Sequence, residues 1–295
     1  DTIYENCAVG KGESVTEVTA KPNRPVSGKI SLKKVDAETN AALNGAVYTV
    51  YRDAACTKEA ARIEVVRGAG EANVPWGIYW VRETKAPEGY CLDPTVYGPY
   101  QTGGTDKEVV LPVIREEAQH LMISIEKQDA QTGKIPQGEA SLAGAVFALK
   151  AAADIVHPDG MTGVLYRKGD LVAELVTDAE GRASVDRDSK GNPLYFGTYE
   201  LTETKAPAGY VRDTELHLEI SAVYNPDKAE QKMVYVFAGT VSDDVIRQRV
   251  ILHKISDAHT EPAEELAGVG FRFYSAKKLC VENGVDSCYE LPQKN

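Results

Sequence analysis

Two stretches of the chain place a glutamate at the same point of almost identical sequences. Glu83 begins ETKAPEGY and Glu203 begins ETKAPAGY. Side chains alternate between the two faces of a β-strand, so Glu203 shares a face with Tyr199 and Leu201, while the opposite face is polar. Glu83 follows a matching strand. The pattern therefore predicts that both glutamates point into a hydrophobic core.

Three lysines interrupt apolar strand faces in the same way. Lys34, Lys127 and Lys254 each end such a face, as Lys127 does after Ile123 and Ile125. Because burying an isolated charge costs roughly several kcal/mol, these lysines need either partners or neutrality. One interpretation is a buried Lys–Glu ion pair. The other is that both groups are neutral, which makes lysine a nucleophile and glutamic acid a proton donor.

A nucleophilic amine needs an electrophilic carbonyl carbon. Eleven residues before the three lysines lie Asn23, Glu116 and Asp243, in that order. Asn and Asp are the side chains that can supply the carbonyl of a Lys–Asn or Lys–Asp amide.

The orientation of Asp243 follows from its strand. Asp243 has the same parity as Tyr235, Phe237 and Val241. If these apolar side chains face the core, so does the carboxyl group of Asp243.

These residues recur because the chain contains three partial repeats. Each begins with an apolar strand ending in lysine, then an Asp-x-x-Thr turn, Leu-x-Gly and a second apolar strand. The second copy contains an insertion, DIVHPDGMTGVLYRKGD, bounded by turn residues. We predict a tail of a preceding domain (1–26), a complete domain (27–119), a longer domain with the insertion (120–247) and the truncated start of a further domain (248–295).

The elements that position these residues are predicted to be strands. Short runs with two-residue alternation are bounded by Gly, Pro, Asn and Asp, which indicates tandem β-sandwiches in an all-β fold. A net charge of -11 argues against nucleic acid as a partner. No apolar run approaches membrane-spanning length and no signal peptide is visible. Because the first residue is Asp, we expect a mature or excised fragment.

The repeated motifs resemble those of the Cna-B, or SpaA-type, domains of Gram-positive surface proteins and pilins. The likeness rests on the Lys-x-Asp strand end, Leu-x-Gly-Ala-Val and the Gly-x-Tyr-x-Leu-x-Glu-Thr-Lys-Ala-Pro-x-Gly-Tyr block. It implies immunoglobulin-like or transthyretin-like β-sandwiches. It also implies a self-formed isopeptide bond between a lysine of the first strand and an Asn or Asp of the last, assisted by the buried glutamate.

Mapped onto the second copy, the resemblance assigns a role to each of three residues. Lys127 is the nucleophile, Glu203 the catalytic acid and Asp243 the acceptor, with Asp244 as the fallback acceptor. Because the acceptor is an Asp, the reaction would release water.

The first copy departs from this pattern. Lys34 and Glu83 are present, but residues 115–117 (Arg-Glu-Glu) occupy the acceptor region. We therefore predict a Lys34 salt bridge and no isopeptide bond there. Asn23 would be the acceptor of a preceding domain, and Lys254 would have its partner beyond this chain.

The cysteines leave two alternatives open. Cys56 follows the second strand of the first copy and Cys91 follows its Glu-Thr-Lys-Ala-Pro block, while Cys280 and Cys288 lie in the third copy. Two disulfides suit an extracellular protein, and free buried thiols are an equal alternative. Cys7 would be left over.

No cofactor or metal site is indicated by the sequence. The histidines form no metal-binding motif, and the run DRDSKGN after Val185 has Lys190 where a calcium loop needs an oxygen ligand. No catalytic constellation for an external substrate is present, so we expect no enzyme beyond a single self-reaction.

Together these features predict a mechanical role. We expect a stalk segment of a Gram-positive surface protein, located outside the cell at the cell wall, which contacts further domains of the same protein. A host protein or glycan would be bound by a tip domain outside this chain. The alternatives are a sortase-assembled pilin shaft subunit and an adhesin module that itself binds a host protein or glycan.

Overall fold

A computed structural model describes residues 27–103 and 108–249, together with 251–252, 270, 277–280 and 288–290. Asn23, Lys254 and Cys7 lie outside the described residues. The chain forms two compact units, Asp1–Ile246 and Arg247–Asn295. The first unit contains two β-sandwiches in tandem, and so the prediction of an all-β fold is confirmed.

The first sandwich contains eight strands in two sheets. They are β1 Gly28–Asp36, β2 Val47–Tyr51, β3 Glu59–Glu64, β4 Ala69–Val74, β5 Gly77–Lys85, β6 Val96–Thr102, β7 Glu108–Val110 and β8 Ile114–Glu116. One sheet has the order β4-β1-β7, with β8 also paired to β1, and the other has the order β3-β2-β5-β6. Strand β1 is antiparallel to β4 and parallel to both β7 and β8.

The second sandwich repeats this arrangement. Its strands are β9 His120–Asp129, β10 Val146–Ala151, β11 Ile155–Val156, β12 Val164–Tyr166, β13 Leu171–Val176, β14 Arg182–Val185, β15 Gly197–Lys205, β16 Leu218–Ala222 and β17 Met233–Asp243. The sheets have the orders β14-β9-β17 and β13-β10-β15-β16, while β11 and β12 form a hairpin within the insertion. A short 3-10 helix, Pro226–Lys228, precedes β17.

Strand β9 shows why the sequence forms a sandwich. Its side chains alternate between buried and partly buried positions along the whole strand. The buried face carries Leu121, Ile123 and Ile125, and then Lys127 and Asp129. Apolar burial thus fixes which face of the strand is inward, and the two charged residues are carried inward with it.

Strand β17 differs from the predicted orientation. Tyr235 and Phe237 are 73% and 62% exposed, whereas Val241 and Asp243 are each 2% exposed. The cause is a β-bulge, because Phe237 pairs with Ser124 and Gly239 pairs with Ile125, which leaves residue 238 unpaired. The inward prediction for Asp243 is confirmed, but the parity argument from Tyr235 and Phe237 was wrong.

The cysteines of the first sandwich are separate. Cys56 and Cys91 are both free and buried. Strand β2 separates them. Tyr51, at one end of β2, lies next to the turn that contains Cys56. Val47, at the other end, pairs with Lys85, which comes shortly before Cys91 in the chain. A disulfide between the two is thereby excluded, and the free-thiol alternative holds for this pair.

Within the second unit, two short strands are described. Strand β18, Lys277–Cys280, is antiparallel to β19, Cys288–Glu290, and Cys280 is the register partner of Cys288. For this pair, the disulfide and the free-thiol alternatives both stay open. Across the described part of the chain, no helix is long and apolar enough to span a membrane.

Candidate functional site

Lys127, Glu203 and Asp243 come together in the interior of the second sandwich. The Nζ of Lys127 is in contact with Oδ1 of Asp243 and lies 3.5 Å from Oε1 of Glu203. The side chains of all three residues are 0% exposed. The candidate nucleophile, acid and acceptor identified from the sequence thus share one space that is buried from solvent.

These three side chains lack the hydrogen bonds that buried polar groups normally make. Among the described residues, Lys127 Nζ, Glu203 Oε1 and both carboxylate oxygens of Asp243 have no hydrogen-bond partner. Buried polar groups are paired in the great majority of cases, and exceptions require an explanation. A close amine–carboxylate contact without hydrogen-bond geometry is the arrangement expected of a reacting pair.

Burial changes the acidity of the glutamate. Desolvation raises the pKa of Glu203 to about 7, and the negative charge of Asp243 adds to the effect while Lys127 opposes it. The backbone N–H of Asp213 donates to the other oxygen of Glu203 at 3.3 Å. Glu203 therefore holds a proton that can be given to a neighbouring oxygen at neutral pH.

Strand pairing places the lysine beside the acceptor. Strands β9 and β17 are parallel, with Val241 opposite Lys127 and Asp243 opposite Asp129. The two side chains meet because Lys127 is long enough to reach two residues along the neighbouring strand.

A second bulge places the glutamate. On β15, Glu203 pairs with Phe147 and Lys205 pairs with Val146, so that Thr204 is the extra residue. The hydroxyl of Thr204 donates to the carbonyl of Val146 at 3.0 Å. The Glu-Thr-Lys of the repeated motif is therefore the sequence of this bulge, and Thr84 makes the same contact with Val47 in the first sandwich at 3.2 Å.

The tyrosine that ends the motif anchors the strand carrying the lysine. Tyr210 donates a hydrogen bond to Asp129 at 3.0 Å, and Tyr90 donates to Asp36 at 2.6 Å. Both aspartates lie two residues after a candidate lysine. The motif thus supplies three parts of each site: the glutamate, the bulge that places it and the tyrosine that contacts the lysine strand. This link was not evident from the sequence.

A glycine makes room beside Lys127. The N–H of Lys127 donates to the carbonyl of Gly181 at 2.6 Å. Gly181 has φ +77°, and a Cβ there would lie 2.4 Å from the carbonyl oxygen of Lys127. Any larger residue would push β9 away from the adjacent turn.

The first sandwich contains a second cluster of the same kind. Lys34 Nζ lies 2.8 Å from Glu83 Oε1, is in contact with Glu116 Oε2, and donates to the hydroxyl of Tyr48 at 2.8 Å. Lys34 and Glu83 have fully buried side chains, and that of Glu116 is 5% exposed. Desolvation lowers the pKa of Lys34 and raises the pKa of Glu83, so burial favours the neutral form of both groups.

Two residues near the acceptor positions do not reach either site. Asp244, the fallback acceptor, directly follows β17 and is exposed, whereas Asp243 is buried. Glu117, next to Glu116, is exposed and contacts Lys232. Glu116 is thus the member of residues 115–117 that enters the interior. One signal in the sequence points to it, because Glu116 precedes Lys127 by the same eleven residues that separate Asp243 from Lys254.

A further cluster of buried groups lies where the two sandwiches meet. Candidate ligand atoms of Asp36, His157 and Asp159 lie within 4.8 Å of one another. Their carboxylates already accept hydrogen bonds from Tyr90, at 2.6 Å, and from Thr39, at 2.9 Å. We assign this cluster to the joint between the sandwiches, a contact of the insertion that sequence reasoning missed.

Comparison with known proteins identifies the family. The SpaA prealbumin-like fold domain matches residues 28–98 and 122–232, which together make up more than half of the chain. The chain belongs to this family. Each matched region contains the lysine and the motif glutamate of one cluster, whereas Glu116 and Asp243 lie outside the matched ranges. No curated protein matches the sequence.

Similar solved structures come from Gram-positive bacteria. The Bacillus anthracis TIE protein has 24% identity and a TM-score of 0.52 over 75% of this chain, which spans 34% of that protein. Shaft pilin SpaA of Lactobacillus rhamnosus GG has 13% identity and a TM-score of 0.28, covering 76% of this chain and 99% of the pilin. A C-terminal fragment of pilus adhesin SpaC from the same organism has 15% identity and a TM-score of 0.39, covering 76% of this chain and the whole fragment.

Proposed function

We propose that this chain is a stalk segment of a Gram-positive surface protein, exposed outside the cell and stiffened by an amide bond between Lys127 and Asp243. The observation that carries the proposal is the fully buried contact of the Lys127 amine with the Asp243 carboxyl, next to Glu203. Membership of the SpaA family supports the location and the role.

The chemistry is a condensation in which atoms balance. A proton passes from the ammonium of Lys127 to the carboxylate of Asp243, which leaves a neutral amine and a neutral acid. The Nζ attacks Cγ of Asp243, the Cγ–O bond breaks, and water leaves with the help of the Glu203 proton. Glu203 recovers its proton from the nitrogen, so each molecule reacts once and no external substrate is turned over.

The mechanical consequence follows from topology. Lys127 lies on β9, the first strand of the sandwich, and Asp243 ends β17, the last strand. A bond between them carries a pulling force directly from one end of the domain to the other. The strands between them then bear no load, as in a domain closed by a disulfide.

Intact mass of the denatured protein tests the proposal. Wild type should be lighter than its sequence by one water for this bond, and Lys127→Met should lose the deficit. Asp243→Asn should lose ammonia instead of water, because the leaving group changes with the acceptor. A Lys127 amine that stays free and reactive in folded wild type would sink the proposed bond.

The two alternative roles predict different behaviour. A pilin shaft subunit would be linked covalently to copies of itself by a sortase. An adhesin module would bind host matrix proteins or glycans directly, which a binding screen with the purified chain measures. A passive stalk should do neither, although it should still carry the Lys127–Asp243 bond.

A further inference from the structure

The acceptor position of the first sandwich is occupied by a glutamate. Strand β8 runs parallel to β1 and places Glu116 opposite Asp36, two residues after Lys34. In the second sandwich, Asp243 lies opposite Asp129, two residues after Lys127. Glu116 is therefore the positional equivalent of Asp243, reached by the same parallel pairing of first and last strands.

The additional methylene of glutamate does not prevent contact with the lysine. Oε2 of Glu116 touches Nζ of Lys34, while Glu83 stands 2.8 Å from the same nitrogen. All three side chains are buried, and the carboxyl of Glu83 also accepts a 2.7 Å hydrogen bond from the N–H of Asp93. This is the counterpart of the contact between Glu203 and the N–H of Asp213.

We propose that Lys34 and Glu116 condense to form a second intramolecular amide bond, in the first sandwich. The inference rests on the chemistry proposed above for Lys127 and extends it to a glutamate acceptor. A proton moves from Nζ of Lys34 to the Glu116 carboxylate, Nζ bonds to Cδ, the Cδ–O bond breaks, and one water leaves. Glu83 gives a proton to the departing oxygen and regains one from the nitrogen.

The first sandwich has an additional group that orients the amine. The Tyr48 hydroxyl lies 2.8 Å from Nζ of Lys34, whereas the residue paired with the glutamate in the second sandwich is Phe147. Tyr48 touches the nucleophile from the opposing sheet and accepts one of its hydrogens. It thereby fixes the direction of the nitrogen lone pair toward the longer Glu116 side chain, as a positioning residue.

The Lys34 salt bridge expected from the sequence is present, with Glu83 and Glu116 as partners. The inference replaces only the accompanying expectation that no isopeptide bond forms there. That expectation counted only Asn and Asp as acceptors, but amide formation takes place at a carboxyl carbon, which glutamate also has. What selects the acceptor is contact with the amine in a site without water, and the fold gives Glu116 that contact.

A second bond would let a pulling force pass through both sandwiches along covalent bonds. From Glu116 the chain passes into β9 within a few residues, and Lys127 then transfers the load to Asp243. With both bonds, neither sandwich can extend under force. With the Lys127 bond alone, roughly 80 residues between Lys34 and Glu116 could be pulled out, releasing about 280 Å of chain.

Intact mass and peptide mapping of denatured wild type test the inference without any substitution. We expect a deficit of two waters and two cross-linked peptides, one joining Lys34 to Glu116 and one joining Lys127 to Asp243. Glu116→Gln keeps the shape of the site and should give a deficit of one water and one ammonia. Glu83→Gln should abolish only the first-sandwich bond. Tyr48→Phe should slow that bond and leave the Lys127 bond unchanged.

The outcomes separate this inference from the proposed function. A deficit of one water, mapped to Lys127 and Asp243 with Lys34 recovered as a free lysine, overturns the second bond and leaves the stalk proposal standing. A second deficit mapped to other residues also overturns it. No deficit at all overturns both bonds. Circular dichroism of each variant confirms that a lost bond does not reflect a lost fold.

Discussion

For single residues, the central question is why the two sandwiches bury lysines among carboxyl groups. Lys127 faces two buried carboxyls, and the removal of one partner from such a pair leaves an uncompensated charge that costs about 3–5 kcal/mol. The proposed condensation of Lys127 with Asp243 would remove both charges at once. It would also account for the lack of hydrogen bonds to either group within the part of the chain the structure describes.

Glu203 is the residue on which this condensation should depend. Glu203→Gln keeps the volume but cannot exchange a proton, so we expect the water deficit of the second sandwich to disappear. Loss of a cross-link that closes a loop of this length should cost about 3–5 kcal/mol, or on the order of 10–25 °C in melting temperature. Glu219→Gln, at an exposed position of β16, is the matched control and should change neither value. A water deficit that persists in Glu203→Gln would show that Glu203 does not take part in the mechanism.

The rate of bond formation should fall with increasing pH. The neutral pair of Lys127 and Asp243 contains the same number of protons as their ion pair, so the ratio of the two forms does not depend on pH. The pH therefore acts on the rate mainly through Glu203. Burial raises the pKa of Glu203 to about 7, which means that the proton is present below that pH and lost above it. We expect the rate to fall about tenfold per pH unit above neutrality.

Freshly synthesised protein provides the measurement. A cell-free synthesis is stopped, portions are brought to different pH values, and the mass deficit is followed with time. A rate that rises steadily through pH 8 would contradict the role of a protonated Glu203.

At the scale of elements, the acceptor depends on the bulge in β17. Gly239 has φ +138°, a conformation that residues with a Cβ rarely adopt, and residue 238 has no pairing partner on β9. Beyond the bulge, Val241 and Asp243 face inward. The bulge therefore decides which of two adjacent aspartates meets the lysine.

Two single-residue deletions test this register, each combined with Asp244→Ala. Deleting Ala238 removes the unpaired residue and leaves Asp243 facing inward, so the water deficit should remain. Deleting Thr240 shifts the strand by one residue beyond the bulge, turns Asp243 outward and places residue 244 at the site. The deficit should then disappear. Equal deficits in the two deletion variants would show that register does not select the acceptor.

Within the whole described unit, side chains of the second sandwich, among them one from its insertion, make hydrogen bonds to the first sandwich. Asp159 accepts a 2.9 Å hydrogen bond from Thr39, and Tyr195 donates to Glu38 at 3.3 Å. Gln119 donates to the carbonyls of Lys228 and Gln231 at 2.8 and 2.6 Å. Burial opposes ionisation of Asp159, but hydrogen bonds from Thr162, Met161 and Thr39 outweigh it and hold its pKa well below the usual range.

Asp159→Ala should loosen this joint without unfolding either sandwich. We expect a broader distribution of interdomain distances in solution X-ray scattering and a cost of about 1–3 kcal/mol, because Thr39 and Thr162 lose a charged partner. Asp154→Ala is the control, since Asp154 is in the same insertion, is exposed and accepts a 2.9 Å hydrogen bond from the N–H of Lys168. Indistinguishable scattering from the two variants would mean that the joint does not depend on Asp159.

The sequence by itself determined the repeats, the all-β sandwiches and the inward direction of the lysines and glutamates. These features are local. Alternation along a strand such as β9 assigns each side chain to a face, and burial of Leu121, Ile123 and Ile125 leaves Lys127 no other direction. The Glu-Thr-Lys motif likewise contains its own bulge residue, and for that reason it could be read in two places without knowledge of the fold.

Only the tertiary structure decided which carboxyl group meets each lysine. Glu116 and Asp243 lie far along the chain from Lys34 and Lys127, and their contacts depend on the register of parallel strands and on one unpaired residue in β17. A shift of one residue reverses every side chain of a strand, so the pattern near Tyr235 and Phe237 gave the wrong face. The hydrogen bond between Thr39 and Asp159 of the insertion is also long-range, because it joins residues of two different sandwiches.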